Sequence, residues 1–129
     1  MNVEDSTLYE LEFEERPNYL YAYISGDKDS VEICIQYWRE IAAECQRTNY
    51  NKVLIVESIK ETVSTTEMYE IASEIPNMMG LLGVKIAFVD RYIEQRPVNE
   101  FGGLVAHNRG TYVKLFDTVE EAEKWLLSN

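Results

Sequence analysis

The spacing of apolar and polar residues at the start of the chain predicts an antiparallel hairpin. From Tyr9 to Glu14 apolar residues alternate with glutamates, which is typical of a strand with one buried and one solvated face. The glutamates also suit a strand at a sheet edge, where charge discourages pairing with other molecules. A turn at Arg16-Pro17-Asn18 leads into a second strand from Tyr19 to Ser25, so the two strands are expected to pair.

Helical spacing and continuous apolar runs alternate along the rest of the chain. The expected helix starts are Asp29-x-x-Glu32, Ser64-x-x-Glu67, Pro97 and Thr118-x-x-Glu121. The first helix is expected to end near Thr48-Asn49, and Pro76 to Gly83 is expected to break the second. The runs Val53–Val56 and Val84–Val89 predict strands buried on both faces, and Thr111 to Phe116 is the last strand.

The predicted order is therefore β-β-α-β-α-β-α-β-α. This order predicts an α/β fold with a mixed, mostly parallel sheet, an N-terminal antiparallel hairpin and about four helices. The chain has 129 residues, which is the size of one domain, so residues 1–129 are expected to form a single domain.

Charge and composition narrow the classes of function. Twelve Lys and Arg against 23 Asp and Glu give a net charge of −11, which argues against binding to nucleic acid or to an anionic membrane. No apolar run is long enough to span a membrane, and the polar segment Met1 to Asp5 does not resemble a signal peptide, so we expect a cytoplasmic protein. Cys34 and Cys45 lie on one predicted helix, roughly 16 Å apart, and are expected to be buried thiols.

The C-terminal third carries a family resemblance. The strand Lys85–Val89, the turn Asn108-Arg109-Gly110 and the helix containing Glu121-Ala122-x-x-Trp125-Leu126 resemble the STAS superfamily, within it the SpoIIAA-like group. The resemblance implies a small regulatory or protein-interaction module that acts by binding and is not an enzyme. In the anti-sigma-factor antagonists of this superfamily, a serine in an Asp-Ser-Ser-Gly-like segment is phosphorylated. That segment is absent from Ile59 to Thr66. No phosphorylation switch is therefore expected.

Two groups of polar residues are candidate sites. Five residues follow the two central strands, where open α/β sheets bind ligands, and form a candidate ligand rim: Glu57, Ser58, Asp90, Arg91 and Tyr92. Its paired acids could act as general acid and base, or the five could be solvated loop residues. The hydroxyls of Ser64, Thr65 and Thr66 could bind phosphate at a helix start, although helix capping is the favoured interpretation.

Neither a metal nor a cofactor is predicted from the sequence. His107 is the single histidine, and its position at a helix end favours a structural role. The glycine pairs do not match a phosphate loop or a dinucleotide fingerprint, and no spaced set of acidic cation ligands occurs.

Apolar residues near the third helix suggest an interface. Val98, Phe101, Leu104 and Val105 form one stripe that the sheet should bury. The segment before this helix has no clear period, so it could contact a protein partner or a second copy of the chain. The candidate interface comprises Met78, Met79, Leu81, Leu82 and Phe101.

Three functions remain open at this point. A binding module predicts a closed core with an exposed apolar patch. A carrier of a small apolar molecule or lipid, related in architecture to Sec14-type domains, predicts an apolar pocket of several hundred Å³, as ligand pockets generally have. An enzyme predicts paired carboxyl groups in one concave site.

Overall fold

The predicted order of strands and helices is confirmed in the computed structural model, which describes residues 8–79 and 83–128. The elements are β1 (Tyr9–Glu15), β2 (Leu20–Lys28), α1 (Val31–Thr48), β3 (Lys52–Glu61), α2 (Thr65–Met79), β4 (Lys85–Asp90), α3 (Arg96–Asn108), β5 (Val113–Phe116) and α4 (Val119–Leu126). A short 3₁₀ turn, Ile93–Gln95, precedes α3 and was not predicted. Within the described ranges, none of the helices combines the length and apolarity needed to cross a membrane.

The five strands form one sheet in the order β1-β2-β3-β4-β5. β1 is antiparallel to β2 and every other pair is parallel, so the predicted fold class is confirmed. Because each parallel connection moves to the next strand in the same direction, right-handed crossovers place α1, α2 and α3 on the same face of the sheet. α4 follows the last strand and packs on the opposite face, against β3, β4 and β5.

The two faces of the sheet bury separate cores. The larger core lies between the sheet and α1 to α3, and it contains both free cysteines. The smaller core lies under α4 and includes Tyr19, whose hydroxyl donates to Glu123 at 2.6 Å. The other two tyrosines of this face, Tyr21 and Tyr23, are half-buried, since α4 does not extend over β2 for its full length.

Two predicted helix ends are wrong. The N-cap of α1 is Ser30 and not Asp29, since the Ser30 hydroxyl accepts a hydrogen bond from the Ile33 N–H at 3.1 Å. α2 does not stop before Pro76 but continues to Met79. A proline removes one helical hydrogen bond, and here the burial of the flanking Ile75 and Met79 in the larger core offsets that cost.

The inward face of α3 also differs from the predicted stripe. Leu104 is 57% exposed, whereas Gly102 and Gly103 face the core. A methyl group at Gly102 would lie 2.6 Å from Met68 Sδ, and one at Gly103 would lie 3.2 Å from Leu115 Cδ1. The helix therefore packs closely at this glycine pair, and Leu104 is turned out of the core.

Candidate functional site

Three carboxyl groups meet on the helix-covered face of the sheet. Glu57 of β3 and Asp90 of β4 are neighbours in the parallel register, and Asp29 approaches them from the loop before α1. β3 runs four residues past Glu57 to Glu61. Glu57 is therefore 4% exposed inside a strand rather than on an open rim, which corrects the prediction for this residue.

The hydroxyl of Tyr37 connects α1 to this carboxyl cluster. Its oxygen lies 2.6 Å from Glu57 Oε2 and 3.1 Å from Asp29 Oδ2, and it accepts a hydrogen bond from the Cys34 thiol at 3.1 Å. A tyrosine hydroxyl has one hydrogen, so it donates to one of the two carboxyl groups at a time. Tyr37 and Glu57 are both buried, at 1% and 4% exposed, whereas Asp29 is half-buried.

Asp90 has the largest number of hydrogen-bond donors in the cluster. The Tyr92 N–H donates at 2.8 Å and the Asn99 amide at 2.6 Å. The Gln95 amide nitrogen lies 3.0 Å from both Asp90 carboxyl oxygens and 3.1 Å from the Ile59 carbonyl oxygen. This number of donors favours the ionised form of the Asp90 carboxyl.

Burial shifts the pKa of all three carboxyl groups upward. It raises the pKa of Glu57 well above its usual range, and the nearby charges of Asp29 and Asp90 add to that shift. Burial also raises the pKa of Asp90, although the hydrogen bonds that it accepts oppose the shift. Burial raises the pKa of Asp29 to about 6. The raised pKa favours the protonated form of Glu57, and the Glu57 side chain forms a hydrogen bond with that of Asp90.

A small cavity adjoins the carboxyl cluster. Asp29, Glu57 and Asn99 form its polar side, and its remaining walls are mostly apolar, among them Trp38 and Phe88. Its volume is about 30 Å³, enough for one or two water molecules. Among the described residues, no group of His, Cys, Asp and Glu side chains is arranged to hold a metal ion.

The other predicted rim residues differ in how they relate to Glu57. Ser58 follows it on β3, pairs with Ser25 of β2 and is half-buried. Asp90, Arg91 and Tyr92 line an open groove of about 370 Å³ between the end of β4 and the start of α4. The structure thus brings the side chains of Glu57 and Asp90 together. Arg91 contacts Glu57 through its backbone, since its N–H donates to the Glu57 carbonyl oxygen at 2.9 Å, while its side chain is exposed.

The predicted hydroxyl cluster forms the start of α2. The Ser64 hydroxyl accepts from the Glu67 N–H at 3.2 Å, and the Glu67 carboxylate accepts from the Ser64 N–H at 2.9 Å. This reciprocal pair is a capping box. Ser64, Thr65 and Thr66 are all exposed. His107 is also exposed, and its ring contacts Tyr112 with centroids 5.3 Å apart.

The candidate interface residues have different surroundings. Met79 is completely buried in the larger core, so its predicted place in an exposed interface is wrong. Met78 and Phe101 are half-buried against the same core, while Leu81 and Leu82 lie outside the described residues. The exposed apolar side chain of α3 is Leu104.

Four residues in and around the carboxyl cluster were not predicted from the sequence to belong to this site. Asp29 was interpreted as a helix cap, and Tyr37, Gln95 and Asn99 were not singled out. The sequence does contain a signal for Gln95 and Asn99. These two amides are one helical turn apart, and they precede Gly102 on the same inward face. An amide repeated on a buried helix face indicates a polar partner in the core.

Comparison with known proteins gives structural similarity without sequence similarity. No family model matches the chain, and no curated protein matches it significantly in sequence. An anti-sigma factor antagonist from Mycobacterium paratuberculosis superposes with a TM-score of 0.61 at 13% identity, over 99% of this chain and 100% of that chain.

Two further solved structures are similar. One is an uncharacterised protein of the DUF3478 family with a SpoIIAA-like fold from Shewanella loihica, at 16% identity and a TM-score of 0.54, over 92% of this chain and 93% of that one. The other is a serine-to-glutamate variant of RsbS from Moorella thermoacetica. It has 16% identity and a TM-score of 0.54, over 89% of this chain and 96% of that one. The sheet order, the antiparallel hairpin and these three similarities together show that this chain has the SpoIIAA-like α/β fold of STAS-type proteins.

Proposed function

We propose that this chain is a STAS-type regulatory module that acts by binding a protein partner rather than by catalysis. The similarity to the anti-sigma factor antagonist supports this proposal because it extends over 99% of this chain and 100% of that one. That protein, by its description, acts against another protein. A cytoplasmic setting fits the two buried free thiols, since secreted domains of this size more often use cysteines in disulfides.

The observation that carries the non-catalytic part of the proposal is the closed environment of the carboxyl cluster. A general acid or base must come within hydrogen-bonding distance of a substrate proton. Glu57 is instead enclosed by Tyr37 and Asp90, and the adjoining cavity of about 30 Å³ is too small for a substrate larger than a few atoms. The paired carboxyl groups are thus better explained as a polar connection between α1, β3 and β4.

The size of the same cavity also argues against a carrier of an apolar molecule. Ligand pockets generally enclose roughly 300 Å³ or more, about ten times the volume found beside Trp38 and Phe88. Met68 and Gly102 both line this cavity and are packed closely against each other. To enclose an apolar ligand, a carrier would have to move them apart and lose that contact.

The test combines native mass spectrometry with partner capture. The full chain is purified from its own cells, and a partner captured with it is reconstituted from purified components. We expect a stoichiometric protein complex, and Glu57→Gln should bind that partner within about twofold of wild type because the amide keeps the shape and a hydrogen-bond donor. A retained small molecule would favour the carrier. A reaction that Glu57→Gln abolishes would favour the enzyme.

A further inference from the structure

The face of the β1–β2 hairpin that lies on the same side of the sheet as α4 carries a repeated pair of side chains. In the antiparallel register Glu14 lies opposite Tyr21, and Glu12 lies opposite Tyr23. Side chains directly opposite one another on adjacent strands lie on the same face of a sheet. This face therefore presents two glutamate–tyrosine pairs side by side, which we call the first pair (Glu14 and Tyr21) and the second pair (Glu12 and Tyr23).

The first pair binds an arginine of the chain itself. Arg16 Nε donates to Glu14 Oε1 at 2.9 Å, and the guanidinium carbon of Arg16 lies 4.2 Å from the centroid of the Tyr21 ring. A further hydrogen bond, from Arg16 Nη1 to the Tyr19 hydroxyl at 2.8 Å, fixes the position of the guanidinium group. The carboxylate supplies the opposite charge and the ring supplies a cation–π contact, so the first pair shows how a glutamate and a tyrosine on this hairpin hold an arginine.

The second pair has the same two residues in the same register. Glu12 is exposed and Tyr23 is half-buried, and among the described residues no ion pair, side-chain hydrogen bond or cation–π contact involves either of them. Positions two residues apart on a strand are separated by roughly 7 Å. The two pairs are therefore far enough apart for each to hold its own guanidinium group, and an arginine on the second pair would come from another molecule.

The surroundings of the second pair favour a cation. Glu10, the next glutamate on this face, is exposed and lies opposite Ser25, so a second carboxylate lies one step along the strand. The Tyr23 ring packs against the smaller core, which limits its freedom before any ligand binds. The net charge of −11 adds a long-range attraction for a basic segment.

We propose that Glu12 and Tyr23 bind an arginine side chain of a protein partner in the way that Glu14 and Tyr21 bind Arg16. The proposal rests on the proposed function, in which the partner is a protein, and it adds the chemistry by which that partner is recognised. The Glu12 carboxylate neutralises the guanidinium group, and the Tyr23 ring packs against its flat face. Lysine fits less well, because its compact ammonium group is more strongly hydrated and has no flat face.

The charge of the chain argues against a second copy as the occupant. Two copies repel each other because each has a net charge of −11. Other arginines of the chain are also held by its own side chains, as Arg47 is by Glu44, Arg96 by Asp117 and Arg109 by Tyr69. A separate partner with a basic segment gains from the same charge that keeps two copies apart.

The probe for the experiment is the end-blocked peptide Gly-Arg-Gly-Arg-Gly. Its two arginines are spaced like Glu10 and Glu12, since alternate positions of an extended chain are roughly 7 Å apart. A lysine version keeps the charge but lacks the flat guanidinium group, and a citrulline version keeps the shape but lacks the charge. Binding is followed by NMR shifts of the Glu12 and Tyr23 amides.

Two matched pairs of protein variants separate the contributions of charge and ring. Glu12→Gln removes a carboxylate from the second pair, and Glu70→Gln removes the same charge from an exposed position on α2. Tyr23→Leu removes the ring but keeps an apolar side chain, and Tyr23→Phe keeps the ring but lacks the hydroxyl. If Tyr23→Leu does not fold, the comparison of Glu12→Gln with Glu70→Gln and the preference of wild type for arginine still decide the outcome.

We expect the arginine peptide to bind wild type about threefold more tightly than the lysine peptide, the effect of one exposed cation–π contact. The citrulline peptide should cause no shift at Tyr23. Glu12→Gln should bind the arginine peptide about threefold more weakly than Glu70→Gln does, as expected for the loss of one exposed ion pair. Tyr23→Leu should bind it about threefold more weakly than Tyr23→Phe and should lose the preference for arginine over lysine.

Three results would overturn the proposal. Equal binding of the arginine and lysine peptides to wild type would mean that the acidic surface attracts any cation. Equal affinities within each matched pair of variants would place the peptide elsewhere on the chain. A wild-type dimer that Glu12→Gln dissociates would make a second copy the occupant instead of a separate partner.

The captured partner distinguishes this proposal from the proposed function. A partner that binds Glu12→Gln and Tyr23→Leu as tightly as wild type would leave the regulatory function intact and overturn only the role of the second pair. Binding of the arginine peptide at the second pair, with no protein partner captured from cells, would retain the arginine-binding pair and overturn the proposed function.

Discussion

The two faces of the sheet use acidic residues in opposite ways. On the face covered by α1, α2 and α3, Glu57 lies in the core and shares hydrogen bonds with Tyr37 and Asp90. On the other face, α4 covers only the β3–β5 half, and the glutamates of β1 remain exposed to solvent. Tyr23, which pairs with Glu12 across the hairpin, is half-buried.

The difference follows from what replaces water around each carboxyl group. A buried carboxyl group must retain its proton or gain donors, and the covered face provides both. An exposed glutamate such as Glu10 or Glu12 is solvated by water and needs no protein partner. Side chains on the covered face should therefore contribute more to stability than those on the open half of the other face, and four predictions test this contrast.

The largest expected effect separates the two tryptophans. Trp38 is 4% exposed and stacks on Phe88, whereas Trp125 is half-buried with the Lys85 ammonium 4.3 Å from its ring centroid. Trp38→Ala should lower the free energy of unfolding by about 3–5 kcal/mol because it leaves a large cavity. Trp125→Ala should cost about half as much, since water can fill part of the space. Urea unfolding of both variants measures this, and equal losses would contradict the contrast.

The next effect concerns two tyrosine hydroxyls. Tyr37→Phe removes a buried donor from Glu57 and Asp29, and leaving buried groups unpaired should cost about 1–3 kcal/mol. Tyr23→Phe on the open half should change the free energy of unfolding by less than about 0.5 kcal/mol. Thermal and urea unfolding provide the comparison. A neutral Tyr37→Phe would show that water replaces the lost hydroxyl.

The third effect is a fall in stability as the pH rises. Folding raises the pKa of Glu57 and raises that of Asp29 to about 6, so above about pH 4 the folded chain holds protons that the unfolded chain has released. Stability should therefore be greatest near pH 4. Between there and neutral pH it should fall by about 1–3 kcal/mol.

Glu57→Gln distinguishes the source of this pH dependence. The amide cannot titrate, so the variant should show a flatter stability profile above about pH 4, with the remaining slope due to Asp29 and Asp90. Glu12→Gln, which removes an exposed carboxyl group from the open half, is the matched control. A stability that rises from pH 4 to pH 7 in wild type would contradict the raised pKa of Glu57.

The smallest expected effect is the absence of a phosphorylation switch at the start of α2. The Ser64 hydroxyl is engaged in the capping box, and a phosphate there would lie beside the Glu67 carboxylate. Incubation with cell extract and ATP, followed by phosphosite mapping, should give no stoichiometric modification of Ser64, Thr65 or Thr66. Full modification of any of them would show that the chain has a switch despite lacking the Asp-Ser-Ser-Gly-like segment.

Most of the local structure could be predicted from the sequence, and the wrong predictions lie where tertiary packing overrides a local pattern. The apolar run around Val53 predicted a strand buried on both faces. The helical spacing of apolar residues in α1 predicted that Cys34 and Cys45 lie in the core. Pro76 predicts a helix break, but the burial of Ile75 and Met79, which the local sequence does not show, keeps α2 helical to Met79. Leu104 was placed inward because helical spacing does not show that a glycine pair can take the closest position.

The candidate site was only half predictable. The positions of Glu57 and Asp90 after apolar runs indicated that two acids would meet, and the parallel register brings them together. Their burial was not predictable, since it depends on β3 extending along β2 beyond Glu57. The contribution of Tyr37 also depends on how α1 lies across the sheet.

By itself, the sequence determined the order of strands and helices, the antiparallel hairpin and the acidic row on β1, because these depend on residues only a few positions apart. The tertiary structure alone decided that Asp29, Tyr37 and Asp90 would surround Glu57, and that α4 would leave the β1–β2 half of one face open. Those contacts join residues far apart in the chain. Strand register and helix packing create them, and both are decided by the free energy of the whole core rather than by any local pattern.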